Sequence, residues 1–161
     1  MKVIDNANSK ELVRLIPNAR KDVTVDKKKK KKLDYIVTSE SEKYGIAVRY
    51  RNIPETETCS QVFDDTEELK DVCSEKNLIP TIAFVLYDTN RIRTYIFTVG
   101  QLEELAKRDD IEEVVKKVDH GLQIKYGINK TPTDSLLDKL KMYLDCTELT
   151  IDENTNDFTR Q

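Results

Sequence analysis

The stretch TIAFVLYD, 81–88, leaves this chain few choices. Its interior, IAFVL at 82–86, is apolar in succession rather than alternately, so a strand there must be covered on both faces, which predicts a central position in a sheet. Pro80 opens it, a polar turn at 88–91 (DTNR) follows, and IRTYIFTV at 92–99 reads as the returning strand of a hairpin. With 161 residues the chain can bury a core of its own without disulfides or structural metal.

The other elements follow from local signals. NSKELVRLI, 8–16, predicts a short helix with Ser9 as cap and Pro17 as stop. DVTVD at 22–26 alternates, and six lysines follow it, 27–32, read as a loop between two strands. LDYIV (33–37) and YGIAVRYR (44–51) flank the polar turn TSESEK; in the second strand Ile46, Val48 and Tyr50 share one face and Ala47, Arg49 and Arg51 the other. Residues 62–76 predict a helix, with Val62, Leu69, Val72 and Cys73 on one side and Asp64, Asp65, Glu67 and Glu68 at its N-terminal end, where the helix dipole favours acids.

QLEELAKR (101–108) and IEEVVKKV (111–118) predict two more helical pieces, the second closed by His120–Gly121. LQIKYG predicts a short edge strand. Thr131-Pro-Thr-Asp134 has the form of a capping box that opens a helix with Leu136, Leu137, Leu140, Tyr143 and Leu144 on one stripe. The expectation is one mixed α/β domain over 1–144, with a helix-covered sheet, and a polar, flexible tail over 145–161.

The order helix, three strands, helix, strand, together with the hairpin, resembles the PD-(D/E)XK nuclease superfamily. The resemblance covers roughly residues 8–98 and rests on element order more than on motif. It implies a restriction-endonuclease-like core, here with extra C-terminal helices. It also implies an Asp at the start of the second core strand, matched by Asp34, and a Glu-x-Lys in the third. In this chain Ala47-Val48-Arg49 stands at that place. Two carboxylates hold magnesium in the family, and the lysine orients or activates the attacking water. Ala47 has no ligand atom, and Mg²⁺ needs hard oxygen donors. Arg49 keeps a cation that can stabilise or fork an anion but cannot act as a base near neutrality. Some members draw an acid from the first helix, which points to Glu11, or from the helix after the hairpin, which offers Asp64, Asp65, Glu67 and Glu68 and points to Asp34 with Glu68 as a Mg²⁺ pair.

The expectation is therefore a nuclease-like domain with a degraded metal site, a pseudo-nuclease that binds nucleic acid or a protein partner. The alternatives are an active Mg²⁺-dependent nuclease with a migrated carboxylate, and a small non-catalytic protein-interaction module. Contacts to DNA or RNA would fall on Lys27, Lys28, Lys29, Lys30, Lys31 and Lys32, and on Arg51, Arg91 and Arg93. These arginines, with Arg49, would line one positive groove if the sheet order joins their strands. The contact must be local, because the formal net charge is −3.

Other classes find little support. Four glycines, with no GxGxxG, P-loop or GxSxG, leave no phosphate-cradling loop for a nucleotide cofactor. The lone His120 excludes a multi-histidine metal site and reads as a helix-end cation. Three widely spaced cysteines without CxxC read as reduced thiols of a cytoplasmic protein. No signal-like or membrane-spanning apolar run is expected to tie it to a membrane.

Overall fold

The computed structural model describes residues 24–30, 33–38, 42–52, 59–63, 65–88, 91–119, 121–128, 131–151 and 158–160. The helix expected at 8–16 with Glu11, together with Lys31, Lys32, Asp64 and His120, lies outside them.

A mixed sheet of seven strands organises the fold. It is built from β1 (Thr24–Lys30), β2 (Leu33–Thr38), β3 (Lys43–Asn52), β5 (Ile79–Asp88), β6 (Arg91–Thr98), β11 (Asp145–Ile151) and β12 (Phe158–Arg160), in that spatial order. All neighbours are antiparallel except β3 and β5, which run parallel with Ala47 beside Ile82 and Arg49 beside Phe84. A parallel pair needs a crossover connection. Here it holds β4 (Ser60–Phe63) and helix α1 (Thr66–Glu75). Within the main sheet three strands, a helix and a strand follow one another, with β4, which belongs to another sheet, inserted before the helix, in a mixed α+β fold.

The apolar run behaves as expected. Residues 81–86 of β5 are all buried, and their side chains enter cores on both faces. On one face Ile82, Phe84 and Leu86 join Ala47, Leu69, Cys73, Tyr95, Phe97, Leu102 and Leu140; on the other, Ala83 joins Tyr35, Val37, Ile46 and Ile96. Phe63 ties β4 to this core, its ring edge-on to Phe84 at 5.6 Å and to Phe97 at 5.8 Å.

Helix α1 sits close on β3 because Gly45 carries no side chain. A Cβ there would stand 2.6 Å from Cys73 Sγ and 3.0 Å from Leu33 Cδ1. The helix ends in a Schellman motif: Asn77 takes φ 56°, Leu78 N–H donates to the Cys73 carbonyl at 2.8 Å and Asn77 N–H to Ser74 at 3.3 Å. Helix α2 (Val99–Ala106) starts two residues before the expected 101, capped by Thr98, whose Oγ1 accepts from Gln101 N–H at 3.0 Å.

Several expectations need correction. Residues 62–63 belong to β4, where Val62 faces solvent and Phe63 the core, as a strand alternates. The run IEEVVKKV is not a helix: a 3-10 turn at Asp109–Ile111 leads to β7 (Val115–Val118), and Val118 pairs with Gly121 across a tight hairpin. LQIKYG supplies β8 (Gly121–Lys125), which is the middle strand of a second sheet, β4-β8-β7, not an edge. Lys27–Lys30 are no loop; their backbone continues β1 and pairs with β2 from Lys27↔Tyr35 to Lys30↔Leu33, with an irregularity between.

Thr131–Pro132 form β10, paired with β9 (Gly127–Ile128), so helix α3 (Asp134–Tyr143) starts after Thr133, whose side chain makes no capping bond, two residues later than the capping-box reading. The segment read as a tail from 145 contributes β11 and β12. Among the described residues no helix is long and apolar enough to cross a membrane.

Candidate functional site

The β2–β3 ladder closes at Tyr35↔Ile46. Just beyond it, the Asp34 carboxylate takes over the role of a strand carbonyl: Oδ2 accepts the Val48 backbone N–H at 2.8 Å. A charge-assisted bond of this kind fixes the carboxylate and holds the two strands where their pairing ends. Asp34 is half-buried, on the rim of the hairpin.

Ala47 is 0% exposed and belongs to the apolar core with Cys59, Phe63, Leu69 and Phe84. The place where the family pattern has a carboxylate is thus a methyl group enclosed by hydrocarbon. A carboxylate there would lose its water and gain no cation in exchange.

Arg49, two residues on, shares that face but reaches its edge. Its Nη2 donates to Asp65 Oδ2 in an ion pair, and its Nη1 donates to the Val48 carbonyl at 3.1 Å. Asp65 is only 8% exposed and stands at the N-cap of α1. Its side chain makes no capping bond to the helix. The guanidinium takes that carboxylate instead, and with it much of the capacity Arg49 would need for an external anion.

The four arginines occupy one face of the sheet but form no common groove. The ladder registers set Arg49 beside Phe84, then Tyr95, then Cys146, and Arg51 beside Leu86, then Arg93, then Glu148. β5 therefore separates the two pairs with large apolar side chains. Arg51 Nη2 donates to the Ser60 carbonyl at 3.0 Å, and Arg91 and Arg93 turn to Glu148.

A cleft of about 580 Å³ lies between the N-terminus of α1, helix α2 and the β7–β8 hairpin. Asp65, Glu67, Glu68, Glu103 and Asp119 face Lys107 and Lys117 across it; Asp34 is not part of its lining. On its rim Lys70 bridges Glu67 at 3.0 Å and Glu103 at 3.1 Å, and these bonds hold its ammonium above the ordinary lysine range. Among the described residues no three Asp, Glu, His or Cys side chains gather closely enough to hold a metal ion, so Asp34 and Glu68 are not brought into such a set. Burial pushes the thiols of Cys73 and Cys146 up to about 11, which keeps them protonated at neutral pH.

Sequence reasoning weighed Asp65 as one acid in a dipole-favoured turn and as one of several possible migrated metal ligands, not as the partner of Arg49; that pairing depends on the crossover that brings α1 back over β3. It passed over Glu148 and read Cys146 only as a reduced thiol, although DCTELTI carries threonines suited to a strand.

No protein-family model matches the chain, and no curated protein matches it. Among solved structures, Hjc, a Holliday junction resolvase from the archaeal hyperthermophile Archaeoglobus fulgidus, is similar over 86% of this chain and 86% of that chain, with a TM-score of 0.48 and 9% sequence identity.

Proposed function

We propose that this chain is a nuclease-like domain whose usual metal position is closed, and that it binds nucleic acid along its lysine-bearing edge instead of cutting by the two-carboxylate mechanism. The observation that carries this reading is Ala47, fully buried in the apolar core where the second metal ligand would stand. Arg49, paired with Asp65, acts as a structural cation. Lys27–Lys30, on strand β1 at the end of the sheet order, supply the local positive charge that the chain as a whole lacks.

Two measurements test it. Fluorescently labelled DNA and RNA, duplex and single-stranded, are incubated with Mg²⁺ or Mn²⁺; no metal-dependent cleavage is expected. Robust cutting abolished by Asp34→Ala overturns the closed-site reading and favours the migrated-carboxylate nuclease. Binding is then followed against salt. Contacts from about four lysines give a slope near −3.6 in log K against log [salt] on duplex DNA. Replacing Lys27–Lys30 with glutamine should flatten it. Absence of binding at low salt, despite the lysines, favours a protein-interaction module.

A further inference from the structure

A second, smaller pocket between β6, β11 and α3 has no part in that reading. Its volume is about 180 Å³. That is room for several waters at ~30 Å³ each, and it is less than the ~300 Å³ of ordinary small-molecule sites. A small ion fits; a nucleoside does not.

Local geometry assembles the pocket. Arg91, Arg93 and Tyr95 alternate along β6 and so share a face. In the ladder Glu148 lies opposite Arg93, and Cys146 opposite Tyr95. Leu137 and Leu140 lay α3 over the same core as Tyr95, which brings Lys141 and Asp138 to the rim. Three cations thus face two carboxylates.

The pairing among them is incomplete. Glu148 Oε1 stands 3.3 Å from Arg91 Nη1 and 3.8 Å from Arg93 Nε, and it has no hydrogen bond of acceptable geometry. Arg93 is 8% exposed, and its Nη1 is buried without a protein partner. A guanidinium presents five donors, and a buried charged group with unmet donors is costly. Glu148 neutralises the pair without saturating it. The Cys146 thiol stays protonated and adds no negative charge.

We propose that this pocket binds a small tetrahedral oxyanion of the phosphate class, held by Arg91, Arg93 and Lys141. Such an ion offers several acceptors that match the guanidinium fork. A cation would meet three like charges, and an apolar group would leave the arginine donors unmet. Glu148 is the internal anion that holds the arginines when the ligand is away, and it competes with the ligand when it arrives. The ion's source is either free phosphate or a phosphate carried on a nucleic acid. The pocket stands apart from the lysine edge, since β6 is four places from β1 in the sheet order.

The full chain is heated in increasing sodium phosphate, with ionic strength held constant by sodium chloride, and in parallel with a short DNA duplex at equal phosphate concentration. Inorganic phosphate, the duplex or both should raise the Tm in a saturable way. Lys141→Ala, a change at an exposed residue, should weaken that response about tenfold, as expected for one charged contact. Glu148→Gln should strengthen it several-fold by removing the competing carboxylate. A response to the duplex alone that still depends on Lys141 assigns the phosphate to nucleic acid. If neither wild type nor Lys141→Ala responds to either ligand, or if both respond equally, the proposal is overturned. A response that survives glutamine replacement of Lys27–Lys30 supports the pocket even where the lysine-edge reading fails.

Discussion

Restoring the missing acid is the most direct way to ask whether position 47 could serve a metal. Ala47→Glu would place a carboxyl among Phe63, Leu69 and Phe84, at a site with 0% exposure. Two costs can be estimated. At pH 7 the group must give up its charge; taking a proton against an ordinary pKa of about 4.3 costs about 3.7 kcal/mol. Forcing the added atoms into a filled core costs about 1–3 kcal/mol more. Together these make about 5–7 kcal/mol, comparable with the entire stability of a domain, about 5–15 kcal/mol.

Urea unfolding monitored by circular dichroism measures the loss, with Ala47→Gln as a control of similar shape and no charge. The glutamate's folded pKa is raised above its unfolded value. The charge-related deficit relative to Gln should therefore be small below about pH 4.3 and grow as pH rises. The reasoning fails if Ala47→Glu unfolds within about 1 kcal/mol of wild type at pH 7, or if Mg²⁺ raises its midpoint without affecting Ala47→Gln. Either result would mean that the side chain reaches a solvated, metal-accessible space.

Two further outcomes are expected. Gly45→Ala drives a methyl into Cys73 Sγ and should cost about 1–3 kcal/mol; adding Cys73→Ala should recover part of it, read as a shift in urea midpoint at unchanged slope. Arg49→Met removes the guanidinium that neutralises Asp65 and should cost about 1.5–3 kcal/mol. A double-mutant cycle with Asp65→Asn should show coupling, and strict additivity would mean the pair contributes nothing.

What could be read from the sequence was what local pattern decides. The unbroken apolar run at 82–86, the face alternation of Ile46, Val48 and Tyr50 against Ala47, Arg49 and Arg51, and the leucine stripe of α3 all reappear in the fold. What escaped was decided by distant partners. Lysines are poor strand formers, yet Lys27–Lys30 extend β1 because β2 offers a ladder. In IEEVVKKV the spacing of valines fits a helix, but Val114 and Val115 are buried while Lys116 and Lys117 are exposed, and β8 captures the segment as a strand. Polarity after residue 144 suggested looseness, while β6 had a free side for it to pair with. At the candidate site, the position of Asp34 and the oddity of Ala47 were visible. The Asp34 bond to Val48 and the partner of Arg49 depended on where the ladder stops and where α1 returns.

The placement of β11 bears on how the chain is made. β6 pairs with β5, its immediate predecessor in sequence, but its other side waits for residues 145–150. While a ribosome is still adding the intervening helices and small strands, the hairpin of β5 and β6 presents an open backbone edge backed by some of the most apolar sequence in the molecule. An uncovered edge of this kind pairs readily with other chains. A nascent chain stalled before Asp145, or a product cut there, would therefore be sticky, although it retains every residue of the hairpin that first suggested a nuclease.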